Sequence, residues 1–167
     1  NSKRTALLTA WRQVFVEAGG QVPQRNVQRM LRNTHIPVPT DDQRRLDLVV
    51  LGLNVARGLP LFCDVTMLTP LTGPGFARPG TSNRGGALLE AAREENDQTY
   101  HEVDDSGLGQ LYCLSAEVFG RWGEHCVDLV PKLARERARG VHIRLRRGTA
   151  LLLQRRWWGI LGIGVQR

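Results

Sequence analysis

Apolar residues recur at three- and four-residue intervals near the start of the chain. Over Lys3–Ala18 they form one helical stripe: Leu7, Leu8, Trp11, Val14, Phe15 and Ala18. Gly19-Gly20 follows, and glycine after a periodic segment is a common helix stop. The pattern predicts a first amphipathic helix, and a short second helix over Gln24–Leu31. The two prolines in His35–Thr40 predict an extended connector there.

Short apolar runs replace the helical pattern in the middle of the chain. Leu46–Leu53 and Leu61–Leu68 are rich in Leu and Val, and Gly58 and Pro60 lie between them as turn signals. These runs predict two neighbouring antiparallel strands. The mixture of apolar, aromatic and small residues over Gln110–Phe119 predicts a third strand of the same sheet.

Loop and helix signals alternate in the remainder of the chain. Thr69–Gly86 is rich in proline and glycine and predicts a long loop, followed by a helix from Ala87 to about Asn96. Gly123–Arg139 predicts a helix that Pro131 should kink or restart, and Val141–Trp158 predicts a final helix. The order of elements indicates an α/β fold with a small mixed β-sheet flanked by helices.

Charge divides the chain into two basic ends and an acidic middle. Residues 1–45 carry eight basic and three acidic side chains, residues 46–130 carry five and twelve, and residues 131–167 carry ten and one. The net charge is +7 and the pI is about 10.3. Basic ends of this kind indicate a polyanionic partner, DNA or RNA. A solvated basic face, or for the C-terminal end an anionic lipid surface, is the alternative.

Length and apolar content suit one domain, since 167 residues with 41% hydrophobic content can bury an ordinary core. We expect basic N-terminal helices over 1–45, an αβ core over 46–122 and basic C-terminal helices over 123–167. The longest apolar run, Trp157–Val165, is shorter than the roughly 20 residues that a membrane-spanning helix needs. The cysteine spacing fits neither paired disulfides nor a zinc site, and predicts free, buried thiols at Cys63, Cys113 and Cys126.

Two aspartates on the first two predicted strands are the strongest candidates for chemistry. Asp47 opens the first strand, and Asp64 lies in the middle of the second among apolar residues. A carboxylate buried there needs a partner. Two carboxylates on adjacent strands suit a hard divalent cation that keeps several waters and binds a substrate phosphate. The alternative is ion pairing, of Asp47 with Arg44 or Arg45 and of Asp64 with another arginine.

Four short segments carry a resemblance to a known family. They are Arg44–Val50, Phe62–Thr66, Ala91–Tyr100 and Leu114–Trp122. Together they resemble the restriction-like endonuclease domain of non-LTR retrotransposon polyproteins, a branch of the PD-(D/E)xK nuclease superfamily. The resemblance covers roughly residues 25–125.

The resemblance implies a restriction-endonuclease-like fold and a metal-dependent DNA endonuclease. Asp47 and Asp64 would hold Mg²⁺ or Mn²⁺, with the Val65 carbonyl as a third oxygen. The domain would nick target DNA so that the 3′ end primes reverse transcription during integration. It would act in the nucleus, as part of a polyprotein that contains the reverse transcriptase.

A lysine that the family uses is missing. In the superfamily it stands two residues after the second acid, where this chain has Thr66; in the retrotransposon branch it stands four residues before a tyrosine, and counting back from Tyr100 gives Asn96. Arg93, one turn earlier, could clamp the phosphate, but a guanidinium does not act as a general base. Two readings follow: an endonuclease with weak or no cleavage, and a non-catalytic nucleic-acid-binding module. A structural or protein-interaction domain is a third class.

Further arginines are candidates for contacts with the nucleic-acid backbone. They lie before the first strand, after the third strand and in the final helix: Arg44, Arg45, Arg121, Arg144, Arg146, Arg147, Arg155 and Arg156. Trp157 and Trp158 directly follow Arg155 and Arg156. We expect them to be either packing anchors or stacking partners for nucleic-acid bases.

Overall fold

A computed structural model describes residues 2–23, 29–81 and 83–167. Helices flank a three-stranded sheet, which confirms the predicted α/β class with a small mixed sheet. The elements are α1 (Ser2–Glu17), β1 (Leu48–Val50), β2 (Leu61–Leu68), α2 (Ala87–Thr99), α3 (His101–Ser106), β3 (Gln110–Glu117), α4 (Glu124–Ala138) and α5 (Arg146–Gln166). Short 3₁₀ turns lie at Leu31–Asn33 and Ile143–Leu145.

The sheet has the order β1-β2-β3. As predicted, β1 pairs with β2 in antiparallel fashion, whereas β2 and β3 are parallel. A parallel pair needs a crossover connection, and α2 and α3 provide it. The parallel register sets Asp64 beside Cys113 and Thr66 beside Ser115. Side chains at these positions share the sheet face that packs against α2.

Helices α1, α4 and α5 cover the opposite face of the sheet with an extensive apolar core. Its largest fully buried members include Trp11, Phe15, Leu114 and Trp157. On the α2 and α3 face lies a smaller apolar cluster: Leu31, Ile36, Leu46, Val49, Phe62, Tyr100, Val103 and Leu111. The three cysteines are free and buried, as predicted. No helix in the described part of the chain is long and apolar enough to cross a membrane.

Helix α5 extends well beyond the predicted end at Trp158. Glycine inside a helix costs roughly 1 kcal/mol relative to alanine, so the glycines after Trp158 argue locally against a helix. At Gly164, however, a Cβ atom would lie only 2.9 Å from the Cβ of Ala10. The missing side chain lets α1 and α5 approach closely, and this packing stabilises the last turns of α5.

Other element boundaries also differ from the predictions. Strand β1 is shorter than predicted, because Leu51 exchanges backbone hydrogen bonds with Gln21 and Gly52 turns the chain with a φ of +79°. Pro131 lies inside α4, which is one continuous helix and does not restart there. The short helix α3 has no counterpart in the predicted elements. The predicted helix over Gln24–Leu31 falls mostly outside the described residues.

Candidate functional site

The two aspartates come together where β1 begins. Asp47 directly precedes β1, and its N–H donates to the carbonyl of Cys63 at 3.1 Å, so it lies beside Asp64 at the end of the strand pairing. Burial raises the pKa of Asp64, and the neighbouring Asp47 raises it further. Like charges on adjacent strands destabilise a sheet, and this site therefore needs a cation.

Arg4 from the first turn of α1 supplies a positive charge. Its Nη2 lies 2.8 and 2.7 Å from the two carboxylate oxygens of Asp47, and its Nε donates to the carbonyl of Val65 at 3.0 Å. The Asp47 carboxylate also accepts the N–H of Val65 at 2.8 Å. Strand β2 extends past β1 here, so these side chains satisfy backbone groups that would otherwise lie at an open edge. Sequence reasoning missed Arg4, since nothing local marks it among the basic residues of α1.

Asn96 lies next to Asp64 from α2, in the position where the family resemblance places a lysine. It is 5% exposed, and its side-chain nitrogen and oxygen both lack a hydrogen-bond partner. The amide is nevertheless close enough to lower the pKa of Asp64, as does the Thr66 hydroxyl at 3.2 Å. One turn on, the Tyr100 hydroxyl donates to the Arg45 carbonyl at 2.9 Å. A buried amide without its full set of hydrogen bonds costs about 1–3 kcal/mol, so a further polar partner at this point would stabilise the fold.

The available donors suit a hard divalent cation. They are the carboxylates of Asp47 and Asp64, the Val65 carbonyl and the side-chain oxygen of Asn96, all of them oxygens. Mg²⁺ accepts such a set because it takes one or two carboxylates and keeps several waters. No group of three or more His, Cys, Asp or Glu side chains suited to a metal exists among residues 2–23, 29–81 and 83–167.

A cleft of about 640 Å³ opens beside β3, on the sheet face that carries Asp64. Cys113 and Ser115 line it, and they are the register partners of Asp64 and Thr66, one strand away from the acidic pair. The cleft also contains Arg93, which is 34% exposed and pairs with Glu124 at 3.2 Å. The remaining lining includes Gly86, Leu89, Arg121, Trp122, Gly123 and His125.

His125 and Trp122 give this cleft a defined wall, and neither was predicted as a site residue. The Nδ1 atom of His125 accepts the N–H of Cys113 at 2.9 Å, so the neutral ring carries its proton on Nε2. Burial lowers the pKa of His125 and favours this neutral form. The ring of Trp122 lies 5.3 Å from that of Trp158. These contacts fix both rings in place.

Three of the predicted backbone-binding arginines take part in ion pairs: Arg44, Arg156 and, at the longer distance of 3.9 Å to Glu117, Arg121. Arg44 pairs with Asp42 at 2.6 Å and Glu102 at 2.7 Å, so it is not the partner of Asp47 that the ion-pair alternative named. Arg156 pairs with Glu17. Arg44 and Arg156 hold elements together. The six predicted arginines other than these two are exposed: Arg45, Arg121, Arg144, Arg146, Arg147 and Arg155.

Trp157 is fully buried, and its indole N–H donates to Glu17 at 2.9 Å. It is therefore a packing anchor and cannot stack on a base. Trp158 is partly buried against Trp122 and packs at the border of the apolar core.

Comparisons with protein-family models, with curated proteins and with solved structures found no match. What the chain does must therefore be inferred from Asp47, Asp64 and the residues around them. The acidic pair, the unpartnered amide of Asn96 and the adjoining cleft are the features that bear on it.

Proposed function

We propose that this chain is a metal-dependent DNA endonuclease domain with a restriction-endonuclease-like fold, which nicks target DNA during integration of a non-LTR retrotransposon. The observation that carries the proposal is the meeting of Asp47, Asp64 and Asn96 at one point of the sheet. Asn96 stands four residues before Tyr100, the spacing that the family resemblance assigns to a catalytic residue. The domain would work in the nucleus within a polyprotein that contains a reverse transcriptase.

Asp47 and Asp64 would hold Mg²⁺, with Val65 and Asn96 contributing neutral oxygens. Bound Mg²⁺ supplies a Lewis acid and lowers the pKa of a bound water. The Asn96 amide can orient a water by hydrogen bonding but cannot accept a proton from it. Arg93 would contribute positive charge to hold the phosphate from the cleft side. This machinery lacks an amine, so we expect slow cleavage.

The DNA backbone would run along the cleft beside β3. Arg93 and Arg121 lie in this cleft, and Trp122 offers an aromatic surface. The exposed arginines near the start of α5 would add contacts that carry no sequence information, and binding should weaken as salt concentration rises.

A non-catalytic nucleic-acid-binding module is the second candidate function. Two observations favour it. Asn96 and Thr66 occupy the two positions expected for lysine, and Arg4 already pairs with Asp47 at 2.7 Å. A site of this composition would bind a phosphate backbone without accelerating its hydrolysis.

Nicking of supercoiled plasmid with Mg²⁺ or Mn²⁺ tests the proposal. We expect slow, metal-dependent nicking by the wild type that is lost in Asp47→Ala and Asp64→Ala. Asn96→Lys should cut about tenfold faster or more, because positioned proton-transfer groups typically contribute about 10²–10⁴-fold. Gln98→Lys is the matched control, since it adds the same charge at an exposed position of the same helix. Asp105→Ala, at an exposed aspartate of α3, controls for the alanine variants.

The outcomes separate the two functions. Nicking that persists in both alanine variants would overturn the assigned site. An inert wild type with an active Asn96→Lys variant would mean that the metal site is correct and that only the amine is lacking. Plasmid binding without cleavage by any variant would establish the binding module instead.

A further inference from the structure

The guanidinium of Arg4 lies among the oxygens that would hold a metal ion. It donates to the Asp47 carboxylate at 2.7 and 2.8 Å and to the Val65 carbonyl at 3.0 Å. A guanidinium and a divalent cation both need anionic and carbonyl oxygens directed at one point. A divalent cation bound to the same oxygens would stand close to the positive guanidinium, and the repulsion between the two cations disfavours simultaneous occupancy.

We propose that Arg4 and a divalent cation compete for a single site, so that the cation binds only when Arg4 withdraws. Arg4 is then an internal occupant that keeps the site closed until metal displaces it. The inference rests on the metal site of the proposed function and adds its regulation.

The charges at the site favour such an exchange once a phosphate approaches. Asp47 and Asp64 carry two negative charges when both are ionised, and Arg4 neutralises one of them. The remaining negative charge repels a phosphodiester. A divalent cation would neutralise both carboxylates and would leave Arg4 free to contact the phosphate from the side of α1.

The exchange needs only a side-chain movement. The side chain of Arg4 is 50% exposed and lies in the first turn of α1, whereas Leu7 and Trp11 anchor the next turns in the core. After Arg4 leaves, the Asp47 carboxylate still accepts the N–H of Val65 and keeps its orientation. The unpartnered amide of Asn96 remains next to Asp64.

Titration with Mn²⁺, followed by the EPR signal of the free ion, measures this competition without any cleavage. We expect Arg4→Gln and Arg4→Ala to bind Mn²⁺ about tenfold tighter than the wild type, which corresponds to about 1.4 kcal/mol. Arg12→Gln is the matched control, because it removes the same charge from the same helix about 12 Å further along the helix axis. Adding Asp47→Asn to Arg4→Gln should abolish the gain. Circular dichroism establishes that each variant is folded, and Arg4→Gln keeps a polar side chain with good helix propensity in case Arg4→Ala does not fold.

If the wild type and Arg4→Gln bind Mn²⁺ with equal affinity, and Asp47→Asn abolishes binding in both, Arg4 does not compete with the metal. The metal site of the proposed function would then still stand. The same gain in Arg12→Gln would also overturn the competition, because the effect would then be one of net charge. Absence of Mn²⁺ binding in every folded variant would overturn the metal site itself, and with it the metal-dependent function.

Discussion

The two faces of the sheet are both covered by helices, yet they differ in chemistry. On β3, Tyr112, Leu114 and Ala116 face the apolar core beneath α1, α4 and α5. Ser115, between them, lies on the opposite face and is also buried. On that face the buried or half-buried polar side chains gather near α2: Asp64, Thr66, Asn96, Ser115 and Glu117.

Burial alone therefore does not separate the core from the candidate site. A buried polar group without a full set of partners costs free energy, and Asn96 is such a group. The larger apolar core lies on the opposite face, whereas the α2 face combines these polar side chains with the smaller apolar cluster. This difference predicts that equivalent substitutions on the two faces have unequal consequences.

The largest expected effect compares two neighbouring residues of β3. Leu114 is fully buried on the apolar face, and Ser115 is 1% exposed on the polar face. Leu114→Ala should lower the free energy of unfolding by about 3 kcal/mol, because it removes apolar contacts and leaves a cavity. Ser115→Ala should cost less than about 1 kcal/mol. Urea denaturation measures both, and equal losses would contradict the contrast between the faces.

Asp64→Asn should increase the free energy of unfolding, by less than Leu114→Ala decreases it. Burial, and then Asp47, raise the pKa of Asp64, so the folded state binds its proton more tightly than the unfolded state does. The stability of the wild type then falls as pH rises from the ordinary value of 3.8 through the raised pKa. We expect the variant to be more stable at pH 7 by on the order of 1 kcal/mol.

This gain should disappear at pH values below 3.8, where the carboxyl group is neutral in both states. Melting temperatures at pH 3 and pH 7 measure it. Asp105→Asn is the control, since Asp105 is 75% exposed. A variant less stable than the wild type at pH 7 would mean that the hydrogen bonds from Thr66 and Asn96, together with the charge of Arg4, outweigh the cost of burying the Asp64 carboxylate.

The smallest expected effect lies at the border of the apolar face. Glu17 of α1 accepts hydrogen bonds from Arg156 and Trp157 of α5 at 2.8 and 2.9 Å, and Arg156 is the main cause of a pKa lowered to about 2. Because the pKa of Glu17 is lower in the folded state, its ionised carboxylate stabilises the fold at pH values above 4.5. This contribution is lost as the pH falls from 4.5 toward 2.

Glu17→Gln should therefore lower the free energy of unfolding by about 0.5–1 kcal/mol at pH 7. The figure is small because solvent screens the partly exposed pair of Glu17 and Arg156. The cost should shrink as pH falls from 4.5 toward 2. Urea denaturation across this range measures it, with the exposed Glu95→Gln as control. A cost that does not change with pH would show that the charge of Glu17 is irrelevant and that only its hydrogen bonds count.

Much of the fold follows from local patterns. The apolar spacing of α1 and the glycines at 19 and 20 predict a helix that the structure has over Ser2–Glu17. The run Leu61–Leu68 is β2 with the same boundaries as predicted. The C-terminal extension of α5 could not be predicted, because Gly164 is favourable only where Ala10 of another helix packs against it.

The candidate site divides in the same way. The sequence predicts that two acidic residues on adjacent antiparallel strands lie together, and the structure places Asp47 beside Asp64. The spacing to Tyr100 pointed to Asn96, but its burial beside Asp64 depends on how α2 crosses the sheet. Arg4 could not be found from the sequence, since 43 residues separate it from Asp47.

The amino-acid sequence by itself determined where helices and strands form and which residue types each of them carries, because these depend on periodicity, on turn residues and on short-range sterics. Tertiary structure alone decided which charge faces which carboxylate. A guanidinium on α1 and an amide on α2 reach the same pair of aspartates only after two helices have packed on opposite faces of the sheet. Contacts of that kind depend on the whole fold, and no local pattern encodes them.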